Sequence, residues 1–140
     1  MEQRKFFHTI PISIAFVWIA ASSTAVAEQT PPDSTSGVDI LKLEAIDLGP
    51  EIEGMQGRQL RLRMLTLEPG GHIGLHSHKD RPAVAYVIRG TTTVTLGDGT
   101  VKRFSAGDSI SADRNTSHWH RNDENEPAVL LTADIFNTTK

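Results

Sequence analysis

The chain has 140 residues, a formal net charge of −3 and no cysteine. That length suits one domain at roughly 100–200 residues per domain, and the lack of cysteine excludes disulfides and cysteine-linked lipid anchors. The mild acidity gives no reason to expect nucleic acid or an anionic membrane surface as a partner.

In chain order, Arg4 and Lys5 precede an uncharged, mostly apolar stretch from Phe6 to Ala21, and Ala25-Val26-Ala27 stands before Glu28. A basic start, an apolar middle and an A-x-A exit make the pattern of a secretory signal peptide. A spanning helix needs about 20 apolar residues, and Thr9, Pro11, Ser13 and Ser22-Ser23-Thr24 interrupt this run. Residues 1–27 are therefore expected to be cleaved, leaving a secreted or periplasmic chain without a membrane anchor. No Arg-Arg pair precedes the apolar run, which favours the general secretory route. Residues 28–38 include TPPDSTSG and read as a flexible leader. Residues 39–140 are expected to form the folded domain.

No stretch of that domain sustains helical periodicity. Gln59 to Glu68 alternates, with Leu60, Leu62 and Met64 on one face and Arg61 and Arg63 on the other. Pro69-Gly70-Gly71 is expected to end that strand. Ala83 to Ile88 is a short apolar run closed by Gly90, and Thr91–Leu96 and Thr100–Phe104 flank the hairpin signal Gly97-Asp98-Gly99. Ile110, residues 118–122 and Ala128–Phe136 supply the last strands. About eight short strands at near-regular spacing predict an all-β sandwich or barrel.

Two histidine pairs carry the chemistry. Residues two apart in a strand share a face, with Cα atoms roughly 6.6 Å apart. His76 and His78 can therefore converge on one ion while Ser77 faces away, and His118 and His120 share a face with Trp119 opposite and Asn122 on the histidine side. Imidazole nitrogens suit a divalent ion such as iron, manganese, zinc, nickel or copper.

The spacing of these residues resembles the two motifs of the cupin family, in the compact form of small single-domain bacterial cupins. Gly70, five residues, His76-Ser77-His78, four residues, Ala83, six residues and Gly90 follow the first motif, with Ala83 in a glutamate slot. Gly107, His118 and Asn122 follow the second, with Asp113 in a proline slot and Asn115 in a glycine slot. The resemblance covers about Leu60 to Phe136. It implies a single jelly-roll-like β-barrel with a metal inside, often in a homodimer, and places His76, His78 and His118 on the family's histidine ligands. Ala83 removes the fourth ligand and its negative charge, which favours an anionic or chelating small molecule at the open positions. Three-histidine cupins include iron(II) dioxygenases, so the resemblance implies oxygenase chemistry as one outcome. A non-catalytic barrel that uses its metal or a small ligand for sensing, storage or structure is the alternative.

Other residues stay open at this stage. His120 is an extra ligand, a catalytic acid or base, or a neighbour of the metal. Asp80, within Lys79-Asp80-Arg81-Pro82, reads first as a turn residue or an ion-pair partner of Arg81, and as the carboxylate nearest the missing glutamate it is the candidate for a substitute oxygen ligand. Ala83 and Ala85 share a face with Val87 and, with Asn122, are expected to border a pocket. His72 shares the parity of His76 and His78 and could line the barrel mouth, but reads first as a solvated histidine beside a turn. Arg58, Arg61 and Arg63 read first as a solvated strand face; an arginine at the barrel mouth could bind a substrate carboxylate, but parity alone does not place one there. Tyr86 and Trp119 point away from the metal, into an outer layer or an interface.

Overall fold

The computed structural model describes residues 30–139. The signal-peptide reading of residues 1–27 lies outside the described residues. The described chain contains no helix and eight strands: β1 (Ser36–Asp47), β2 (Arg58–Ser77), β3 (Ala83–Arg89), β4 (Thr91–Leu96), β5 (Val101–Ser105), β6 (Ser109–Ala112), β7 (Ser117–Arg121) and β8 (Ala128–Asn137). They form one antiparallel sheet in the order β5-β4-β7-β2-β8-β3-β6, with β1 paired to β2. The sheet curls into a nearly closed barrel, and the all-β expectation holds.

The strand β2 organises the barrel because it changes partner along its length. Residues 58–67 pair with β8, from Arg58↔Asn137 to Leu67↔Ala128, whereas residues 72–77 pair with β7. The change falls at Pro69-Gly70-Gly71, where the sequence predicts an end to the strand. The structure corrects that expectation: the chain bends there and continues as a strand. Gly70 takes a φ of 75°, a left-handed conformation that costs glycine little. A Cβ on Gly71 would meet the carbonyl oxygens of Gly37 and Glu68 at closer than ordinary contact.

Asn122 holds the bend. The Gly70 amide donates to the Asn122 carbonyl (3.0 Å), and the Asn122 amide donates to the Gly71 carbonyl (2.9 Å). The Asn122 side chain donates through Nδ2 to the Leu67 carbonyl at 2.9 Å and to the Glu126 carbonyl at 2.8 Å. Its Oδ1 accepts from the Glu124 amide at 2.9 Å. With 1% of its surface exposed, Asn122 has its donors and acceptor committed to the backbone.

The segment read as a leader runs alongside β2. The Leu75 amide donates to the Pro32 carbonyl at 3.1 Å, and the Gly74 amide donates to Thr35 Oγ1 at 3.1 Å. From Ser36 the chain is already strand, and β1 is an element that the sequence reading did not name.

One side of the sheet forms the core. Leu65, Leu67, Val87, Val94, Ile110, Ala128 and Leu130 are buried together, with Val38, Ile73, Ala85, Leu96 and Phe104 packed against them. The strand β8 shows the period of two plainly, since Ala128, Leu130, Thr132 and Asp134 are buried and the residues between them are not. The alternation in β2 has the opposite sense from the one its side chains suggest. Arg61 and Arg63 lie on the inward face with Leu65 and Leu67, while Leu60, Leu62 and Met64 face outward. The solvated-face reading of Arg61 and Arg63 is thereby corrected. Asp134, opposite Arg61 in register, makes the inward placement tolerable by accepting hydrogen bonds from both arginines.

Candidate metal centre

Three elements bring the histidines together. His76 lies near the end of β2, His78 just beyond it, and His118 on β7, where His76 and His118 are cross-strand partners. A register shift in β2 between Ile73 and His76 makes this geometry possible. Ile73 pairs with His120 and faces the cavity, and the shift at Gly74-Leu75 lets His76 face it too. The same shift breaks the simple parity that relates His72 to His76. His72 lies instead beside Trp119 and Arg121 in a separate outer cleft.

His76, His78 and His118 each offer one ligand nitrogen, and these nitrogens all lie within 4.8 Å of one another. The backbone settles the tautomer of two of them. His76 Nδ1 is 2.9 Å from the Gly74 carbonyl, and His78 Nδ1 is 2.7 Å from the Arg81 carbonyl. A carbonyl only accepts, so each Nδ1 carries the hydrogen and each Nε2 presents a lone pair. This is the second-sphere arrangement that fixes metal-ligating imidazoles. His78 Nε2 and His118 Nε2 are 3.0 Å apart, so a proton or a cation between them is needed to relieve lone-pair repulsion. Metal–imidazole bonds of about 2.0–2.1 Å place ligand nitrogens about 3 Å or slightly more apart. The residues present therefore fit a divalent metal.

Electrostatics agree with neutral ligands. Desolvation by burial lowers the pKa of His76 and His78 from the ordinary imidazole range, and nearby Arg81 adds to the effect. Burial, then the neighbouring imidazoles, push His118 down to about 2. His120 is pushed down to about 3, by burial first and then by His76 and His78. Neutral imidazole is the form that binds metal.

The trio opens onto a cavity of about 340 Å³, large enough for a small organic molecule. Ala83 and Ala85 border it, as the sequence predicts, together with Ile73, Ile110, Leu130, Arg63 and Arg81. Ala83, in the glutamate slot, leaves space at the wall. His120 also lines the cavity, but its nitrogen is not within the ligand group. His120 Nε2 lies 3.4 Å from His118 Nε2, and Nδ1 lies 3.5 Å from Thr92 Oγ1. The geometry therefore makes His120 a neighbour of the ligand trio rather than a member of it.

Two expected pocket residues are elsewhere. Asp80 borders a separate surface depression with Lys79 and Phe136, and its carbonyl accepts from Arg58 Nη1 at 2.7 Å. It sits in the turn that follows His78, so its carboxylate does not replace the glutamate. Asn122 is used by the β2 bend, because the chain leaves β7 at Arg121 and the strand parity ends there.

Sequence reasoning missed Arg81 and Asp134 as parts of the site. Asp134 accepts from Arg61 Nε at 3.1 Å, Arg61 Nη2 at 2.8 Å and Arg63 Nη2 at 3.0 Å. Arg81 Nε is 3.9 Å from the same carboxylate. An aspartate on the buried side of an apolar strand, flanked by Ala133 and Ile135, was the available signal.

Comparison with known proteins agrees with this architecture. A match to the family described as "Cupin domain" covers residues 63–134. The chain belongs to the cupin family. No curated protein matches the sequence. Among solved structures, an RmlC-like cupin from Shewanella frigidimarina is 21% identical with a TM-score of 0.54, over 71% of this chain and 76% of that one. KdgF from a Halomonas species is 20% identical with a TM-score of 0.56, over 79% of this chain and 91% of that one. The cupin domain of Schizosaccharomyces pombe Cnp3 is 13% identical with a TM-score of 0.57, over 76% and 66%. At these identities the likeness concerns the fold.

Proposed function

We propose that this cupin is an exported metalloenzyme that binds a divalent metal through His76, His78 and His118 and acts on a small anionic or chelating molecule, with oxygenase chemistry as the favoured reaction. The observation that carries the reading is the pair of backbone-fixed tautomers. His76 and His78 aim Nε2 lone pairs at the position that His118 also faces. A divalent ion held there supplies Lewis-acid or oxygen-activating chemistry, and its identity among iron, manganese, zinc, nickel and copper is left to measurement.

The chain's own residues do the rest. Ala83 and Ala85 leave room beside the ligands, and Ile73, Ile110 and Leu130 form an apolar wall that limits water. Export is supported by the pattern of residues 1–27. Assembly as a homodimer is supported by the apolar outward face of the sheet. There Leu41, Met64, Leu131 and Tyr86 stand side by side on four adjacent strands.

Oxygen uptake by iron-loaded protein, measured across a panel of thiols, diketones and hydroxylated aromatic acids, tests the activity. Uptake with one chemical group alone is the expected result. Stoichiometric metal with no turnover on any group, under any of the five metals, would instead assign a binding module.

A further inference from the structure

The inward face beside the cavity carries more positive charge than it neutralises, and Arg63 and Arg81 of that face line the cavity. Arg61, Arg63 and Arg81 surround the single carboxylate of Asp134, which is 1% exposed. Arg61 occupies that carboxylate with two donors, and Arg63 with one. Arg81, with Nε at 3.9 Å, is too distant for a hydrogen bond to it. The Nε–H of Arg63 is buried without an acceptor. Three guanidinium groups against one carboxylate leave an excess of two positive charges beside neutral imidazoles. Among the described residues that line the cavity, Asp33 is the carboxylate, and it lies exposed in the segment before β1.

A charge withdrawn from water normally has its donors satisfied, because desolvation is costly otherwise. Arg63 (side chain 14% exposed) leaves its Nε–H unused, while Arg81 (29% exposed) makes no hydrogen bond to Asp134. Apart from the histidines, Asp33, Ser34, Thr35 and Thr132, the remainder of the wall is apolar. We infer that Arg63 and Arg81 form an anion-binding subsite, and that the cavity takes a small organic acid whose carboxylate they hold and whose apolar body lies along Leu65 and Leu130. Guanidinium groups suit a carboxylate because their donors are planar and paired. Arg81 also ties the subsite to the metal centre, since its carbonyl accepts the Nδ1–H of His78. An acid seated on the arginines would thus lie within one cavity with the ligand trio. This inference rests on reading the cavity as a substrate site, but not on the metal being present.

Titration calorimetry on the full chain tests it, with benzoate and hexanoate as probes and their neutral amides as controls. Each probe is measured after chelator treatment and again after zinc is restored. At least one acid is expected to bind in both states, about tenfold or more tighter than its amide, and Arg81→Gln is expected to weaken it by about tenfold. Arg63→Lys should also weaken it while keeping the charge opposite Asp134, which guards against a folding defect. Zinc stoichiometry should be unchanged in both variants. Equal binding of acids and amides, no binding of either acid, or affinity unchanged by both variants would overturn the subsite. Acid binding that disappears on zinc removal would overturn it too, because the metal would then be the anchor. Loss of zinc binding with intact, arginine-dependent acid binding would instead refute the metal reading and leave the subsite standing.

Discussion

His118 and His120 are neutral because their surroundings make the charged form costly, and that has a measurable consequence. Below the ordinary imidazole pKa of about 6.5 the unfolded chain takes up protons that the folded chain refuses. Each histidine kept neutral therefore lowers the stability of the metal-free fold by about 1.4 kcal/mol per pH unit. The window opens at about 6.5 and closes at about 3 for His120 and about 2 for His118. The urea midpoint of metal-free protein is expected to fall between about pH 7 and pH 5, and a flat profile would show these histidines to be solvated. Asp134 makes a second residue-scale prediction. Asp134→Ala strands buried guanidinium groups and should cost about 3–5 kcal/mol, read from the same urea curves. A cost within error of zero would mean that the arginines find water.

The element that decides the architecture is β2, whose bend lets one strand serve two partners. Asn122→Ala removes two side-chain donors and one acceptor from that bend. It should destabilise the protein by about 2–3 kcal/mol without changing metal stoichiometry, as followed by denaturation and elemental analysis. A loss of metal at full stability would return Asn122 to the site. Strands β2 to β8 were legible from alternation and from turn residues such as Gly97-Asp98-Gly99. The histidine trio was legible from spacing and strand parity. The bend at Pro69-Gly71 was not, since glycine and proline mark turns and bulges alike and the choice depends on the Asn122 contacts. Parity does not carry across the register shift, and His72 lies outside the cavity, in keeping with its reading as a histidine beside a turn. Parity misled at Arg61 and Arg63, whose inward placement depends on an aspartate about 70 residues away. The strand β1 is mostly exposed and carries no clear alternation, which is why it escaped notice.

At the scale of the whole molecule, the inward arginines have an outward counterpart. Val84 and Tyr86 are 59% and 50% exposed on the outer face of β3, and Leu60, Met64 and Leu41 extend that face across β2 and β1. Contiguous apolar surface of this kind marks an interaction site. Light scattering is expected to report a dimer, and Tyr86→Glu is expected to shift it to monomer without removing metal. A wild-type monomer at all concentrations would leave the face unexplained by self-association. Mass spectrometry of protein recovered from its native compartment should find Glu28 as the first residue, and an intact Met1 would refute the export reading.

Metal analysis of that same preparation bears most directly on the ligand trio. Wild-type protein is expected to carry one divalent ion per chain, and His76→Ala and His118→Ala are each expected to carry none while remaining folded. Stoichiometric metal in both variants would place the centre elsewhere.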